Sequence, residues 1–250
     1  GPENSTIEQY IPQNFAAMLY LGWYDFENLY HNYKEIEYKD FENYFLPWIG
    51  RDVALVLKDP IDDKNAFSKD RLIFVQSKDT IKTRILLNEY ANQFGELKHT
   101  FYQNFEISQI AAHHPLRPIF GEQINPVQNP FYTIIDNYVI FANSETTLES
   151  WIKNFNTGRT VEILPEYHAF FKHAKNKSNI YTLLSTPNSM KFLQYFMRDE
   201  LHDYIKEPFA KFKNIYPIGV QFYGYDKHFL VTFTAGYNKV DEMAQNQATI

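Results

Sequence analysis

The stretch Phe131-Tyr-Thr-Ile-Ile-Asp-Asn-Tyr-Val-Ile-Phe-Ala142, with Asn143-Ser144-Glu-Thr-Thr-Leu148 after it, decides the fold class. Two five-residue runs rich in branched and aromatic side chains flank Asp136-Asn137, a pair suited to a tight hairpin turn. Ser144 stands where a helix needs its N-cap, because its hydroxyl can accept from a free backbone N–H of the first turn. Leu148 and Ile152, four residues apart, mark one helix face able to pack back on the hairpin. The helix is expected to reach Phe155, with Gly158 closing it.

The same order occurs 67 residues earlier. Phe74, Ser77, Thr80, Ile81 and Ile85 stand where Phe141, Ser144, Thr147, Leu148 and Ile152 stand in the later segment. Two apolar runs, Asp52–Leu57 and Arg71–Gln76, precede the helix pattern Thr80–Phe94, which Ser77 or Asp79 can cap and Gly95 can end. Ile81 and Ile85 are expected on the face packed against the sheet. The expected fold is therefore α+β: antiparallel hairpins with helices packed on the sheet, including a duplicated β-β-α unit.

Outward from these units, Phe15–Leu21 reads as a strand bounded by Gly22. Phe26, Tyr30, Tyr33, Glu37, Phe41, Tyr44, Phe45 and Trp48 recur at three- and four-residue spacing, which predicts one long helix stopped by Pro47 and Gly50. Phe105–Ala111 alternates as a strand, and residues 113–130 form a Pro-rich loop. Pro165–Phe171 reads as a short helix and Asn179–Leu184 as a strand. Thr186-Pro187 opens a helix with Leu193, Met197, Leu201 and Ile205 on one face. A last hairpin joins Gly219–Gly224 to Phe229–Ala235. Residues 12–238 are expected to form one α+β module, with possible halves at 12–160 and 161–238. Residues 3–11 are a lead-in and 239–250 a polar tail. Gly1-Pro2 has the form of a scar left by a tag-removing protease, so the chain is expected to be a fragment of a longer anchored protein.

Composition narrows the chemistry. Of 250 residues, 44% are hydrophobic and 22% charged, enough to build a core. With net charge −6 and no long Lys/Arg stripe, a nucleic-acid partner is not expected. The chain has no cysteine, which excludes a thiol nucleophile, a disulfide framework and a Cys-ligated zinc site. No cofactor or metal is expected. Asp59, Asp62, Asp63 and Asn65 lack the alternation of a calcium loop, and His168 and His173 are about 140° apart on a helix. Carboxylate pairs such as Glu35/Glu37 and Asp199/Asp203 read as solvated helix faces. No nucleophile elbow, phosphate-binding loop or His-Glu-x-x-His stands in the sequence. Aromatic residues make up 18% of the chain, read chiefly as core, with a ring-lined surface for sugars or peptides as the alternative. Trp23, Trp48 and Trp151 fall in apolar patterns and are read as core.

The most interesting polar cluster is His113-His114-Pro-Leu-Arg117 on the Pro-rich loop. Two imidazoles and a guanidinium can bind an anion or carboxylate. The alternative is a loop pinned at the sheet edge, with Arg117 satisfying carbonyls.

Leu46-Pro-Trp-Ile-Gly-Arg-Asp-Val-Ala-Leu55, the Phe131–Ala142 hairpin with its helix start, and Pro165-Glu-Tyr-His-Ala-Phe170 together resemble the bacterial family called domain of unknown function 3352. The resemblance spans roughly residues 12 to 238. It implies an extracytoplasmic module, anchored through a segment outside this sequence and without an established activity. The expected role is a non-catalytic cell-envelope module for protein interaction or scaffolding, at the periplasmic or extracellular face. Its partner would be another protein or a neighbouring domain of the same chain. The alternatives are a glycan- or peptide-binding domain and an enzyme with an unfamiliar site.

Overall fold

The computed structural model describes residues 7–34, 36–58, 71–95, 97–113, 115–121, 127–173, 179–189, 214–225 and 228–237. Ten strands are β1 Phe15–Gly22, β2 Ile49–Lys58, β3 Arg71–Ser77, β4 Lys98–Tyr102, β5 Phe105–Gln109, β6 Phe131–Ile135, β7 Tyr138–Ala142, β8 Ile180–Leu184, β9 Ile218–Tyr225 and β10 His228–Ala235. They form one sheet in the order β10-β9-β8-β1-β2-β3-β7-β6-β5-β4. Every neighbouring pair is antiparallel. Among the described residues the α-helices include α1 Phe26–Tyr33, α2 Lys39–Tyr44, α3 Thr80–Asn92, α4 Arg117–Phe120, α5 Glu145–Asn156 and α6 Pro165–His173. The fold is α+β, as the hairpin grammar implies. Because β8 pairs with β1, residues on either side of position 160 share a single sheet.

Period-two alternation feeds a separate core on each face of this sheet. On one face Leu72, Phe74, Ile140 and Tyr138 pack with Leu148, Trp151 and Ile152 of α5 and Phe170 of α6. On the other, Ile73, Val75, Val139 and Phe141 pack with Phe26 and Tyr30 of α1, Phe41 of α2 and Leu87, Tyr90 and Ala91 of α3. All three tryptophans are buried, and each indole N–H donates to a backbone carbonyl: Trp23 to Gly50, Trp48 to Tyr44 and Trp151 to Tyr10.

The strand-strand-helix order occurs twice, as β2-β3-α3 and β6-β7-α5, but the two helices cover opposite faces. Phe74 pairs opposite Ile140, one position from its counterpart Phe141. A one-residue offset moves a side chain to the other face. In each copy the helix folds onto the face away from that Phe.

The caps produce a further difference. Ser144 accepts from Thr147 N at 3.2 Å. In the first copy Asp79 is the cap, accepting from Ile81 and Lys82 N at 3.0 Å each. Asp79 stands two residues beyond Ser77, the counterpart of Ser144, whose hydroxyl lies 2.8 Å from that of Thr83. Two residues rotate a helix by about 200°. Leu148 and Ile152 are consequently fully buried, whereas Ile81 and Ile85 are 75% and 53% exposed. The expectation that Ile81 and Ile85 face the sheet is corrected accordingly.

Two more expectations change. The long helix over Phe26–Trp48 is two short ones, α1 and α2, separated where Lys34 turns extended (ψ 127°). Tyr30 and Phe41 are eleven residues apart, close to three whole turns, so the apolar phase survives the break. Glu37 therefore lies in a connection and not on a helix face. The strand β4 pairs with β5 through Gln103 and Asn104, both at positive φ (46° and 71°). Residues 113–130 include the one-turn helix α4. The calcium-like loop, the Asp199/Asp203 pair and the Leu193–Ile205 face lie outside the described residues.

Candidate functional site

The site is built around α1. Asp25 caps it by accepting from Asn28 N at 3.1 Å, and Phe26, Leu29, Tyr30 and Tyr33, at i, i+3, i+4 and i+7, form one apolar stripe. Phe26 and Tyr30 point inward. Phe26 lies against Trp23 with ring centroids 4.4 Å apart, and Tyr30 lies 5.3 Å from Phe41. Leu29 and Tyr33, four residues apart on the edge of that stripe, stay exposed, as do Tyr24 and Ile36 just beyond the two ends of the helix. Tyr24, Tyr33 and Ile36 are 81%, 77% and 58% exposed.

A polar network pins the turn between α1 and α2. Tyr30 Oη donates to Glu42 Oε1 at 3.1 Å, and Lys34 Nζ donates to the same oxygen at 2.8 Å. Lys34 also sits 5.6 Å from the Tyr30 ring centroid, where a cation gains from the ring's negative face. The Lys34 ammonium, followed by the Tyr30 hydroxyl, holds the Glu42 carboxyl below its ordinary range. Burial, reinforced by that carboxylate, pushes the Tyr30 phenol up to about 12, so it stays a donor at physiological pH.

Between α1, α4 and the ends of β1 and β8 lies a furrow of about 1020 Å³. Trp23, Tyr24, Leu29, Tyr33, Ile119 and Ile180 are among its apolar lining, and Asp25, Lys34, Arg117 and Asn179 among its polar lining. A smaller cavity of about 370 Å³, lined by Glu37, Lys39, Asp40, Tyr90 and His113, shares Tyr38 and Pro118 with it.

The Pro-rich loop thus reaches both cavities. Arg117, half-buried at the start of α4, lines the larger one. His113, exposed, lines the smaller, and both take part in polar or ring contacts. His114 lies outside the described residues. The rim residues Tyr24, Leu29, Tyr33 and Ile36 escaped the sequence reading because Tyr33 fits the buried periodicity. Among the described residues, no three His, Asp or Glu side chains come together to hold a metal ion. Among them, too, no helix is long and apolar enough to cross a membrane.

No curated protein matches the chain. Solved structures of a protein named TP0453 are similar to it. Crystal form III has a TM-score of 0.45 at 11% identity, over 100% of this chain and 86% of that one. Crystal form IV has a TM-score of 0.48 at 10% identity, over 91% and 79%. The model of the family described as "Protein of unknown function (DUF3352)" matches residues 25–195, a stretch that holds α1, the furrow's α4 wall and both β-β-α units. The chain belongs to that family.

Proposed function

We propose that the chain is a non-catalytic interaction module of a cell-envelope protein, and that its furrow takes an extended apolar segment of a protein partner. The observation that carries this reading is the exposed edge of the apolar stripe of α1. Leu29, Tyr33 and Ile36 stay exposed beside a furrow that Phe26 and Tyr30, on the same stripe, help to wall. Single exposed apolar side chains need no explanation, but a contiguous line beside a cavity marks a binding surface. The larger cavity alone is at the upper end of small-ligand pockets. Its exposed rings and aliphatic side chains, spaced along α1 and beyond both its ends, fit the spaced apolar side chains of an extended peptide.

A photo-reactive phenylalanine analogue in place of Tyr33 is expected to capture a protein in intact cells, while one in place of the equally exposed Ile81 does not. Capture at Ile81 alone would count against the furrow. Fractionation of the same cells checks the envelope setting. Glycan stacking is the second reading, favoured by Tyr24 and Tyr33 at the rim, although the buried tryptophans offer no platform. Glycan-array binding that disappears in Tyr33→Ala would support it.

A further inference from the structure

The two ends of the sheet differ. At one edge, β4 has five residues and carries Lys98 and His99. At the other, β10 has eight residues, His228–Ala235, with no Pro, Lys, Arg, Asp or Glu. Its neighbour β9 also lacks all four charged types. That leaves sixteen strand residues without a full charge in a chain that is 22% charged. Edge strands are ordinarily protected by lysine, proline or shortness, and β10 has none of these.

Backbone geometry gives the edge its reading. Tyr225 and His228 pair across a two-residue connection, which makes them a hydrogen-bonded pair. Alternate residues along β10 therefore bond β9, and the Gly236 N to Pro217 O bond keeps the same phase. The N–H and C=O groups of Val231, Phe233 and Ala235 point away from the sheet. Among the described residues no strand pairs with that side. Their side chains lie on the α1 face: Val231 is opposite Phe222, Phe222 opposite Ile180 and Ile180 opposite Leu21, which packs in that face's core. Val231 and Phe233 are 60% and 67% exposed.

We propose that β10 pairs antiparallel with β10 of a second copy of this chain, joining two sheets across a two-fold axis. A partner of opposite charge finds nothing here to recognise. An identical strand brings no like charges together, so two copies of a chain of net charge −6 meet no local repulsion along this edge. Pairing Phe229–Ala235 about Thr232 puts Val231 opposite Phe233 of the second copy, which continues the apolar row over both protomers. The axis of an antiparallel pair runs along the sheet normal, so both α1 furrows open on the same side of the dimer.

Light scattering on the purified chain across about a hundredfold concentration range is expected to show a monomer–dimer equilibrium. Phe233→Lys adds a gatekeeping charge, and Val231→Pro removes an outward N–H without taking a β9 bond. Each is expected to weaken the dimer at least a hundredfold while circular dichroism is unchanged. Amide exchange on the unaltered protein gives a second readout, with Val231 and Phe233 N–H protected when concentrated and exchanging fast when dilute. A monomer at every concentration would overturn the proposal. So would a dimer that both variants leave intact, or one in which those two amides exchange at the monomer rate.

Discussion

The Tyr138 hydroxyl donates to Asp52 Oδ1 at 3.0 Å, joining β7 to β2 across the intervening β3. Asp52 is buried, and Tyr20 Oη on β1 approaches its other oxygen at 3.4 Å. A buried carboxylate persists only where donors compensate its desolvation. Tyr138→Phe is expected to cost about 1.5–3 kcal/mol, the range for a hydrogen bond to a charged group. Asp52→Ala should cost more, because it strands two hydroxyls. Urea unfolding of the two variants checks this, and equal stability of Tyr138→Phe and the parent would remove the claim.

Glu8, in the turn over the α5 face, is pushed up to about 7, first by burial and then by the nearby carboxylates of Asp52 and Glu162. Its folded pKa lies above the unfolded value, so the native state holds the proton more tightly. By linkage, stability is fully present below about pH 4.5 and declines as pH rises through about 7, by an amount on the order of 3 kcal/mol. Melting temperature measured from pH 4.5 to 8 should show this fall, and Glu8→Gln should flatten it and raise stability at pH 8.

The shift of the cap from Ser77 to Asp79 makes a paired prediction. Leu148→Ala is expected to cost about 2–5 kcal/mol as a core truncation. Ile81→Ala, at the matching position of the first copy, should change stability by less than about 0.5 kcal/mol. Similar losses at both positions in thermal unfolding would mean that α3 is rotated as α5 is.

That pair also shows how far the sequence was legible. Hairpins around Asp136-Asn137 and at β2-β3, the capped helices and the buried tryptophans all follow from local chemistry: turn residues, hydroxyl caps and periodicity. What fails is phase. Ser77 and Asp79 are both competent caps, and the choice between them depends on what α3 meets on the opposite face. The break between α1 and α2 is hidden because eleven residues nearly complete three turns. At the site, the loop reading drew attention to His113 and Arg117, which do line cavities. The furrow itself is assembled from α1, α4, β1 and β8, segments distant in sequence whose meeting no local pattern encodes.

A close contact in β9 gives a stability test away from any site. A Cβ on Gly219 would stand 2.3 Å from the Phe170 ring of α6. Gly219→Ala is expected to destabilise by about 1–3 kcal/mol through overpacking. Phe170→Leu should recover part of that loss in the double variant, as measured by chemical unfolding, and additive losses would contradict the contact.

Selection of displayed peptides against the intact chain tests the central claim most directly. Peptides with spaced apolar anchors are expected to be enriched, and to bind at least ~10-fold more weakly, a change of about 1.4 kcal/mol, to the Tyr33→Ala/Ile36→Asp variant, whose melting temperature stays unchanged. Peptides that bind the parent and this variant with equal affinity would contradict the account.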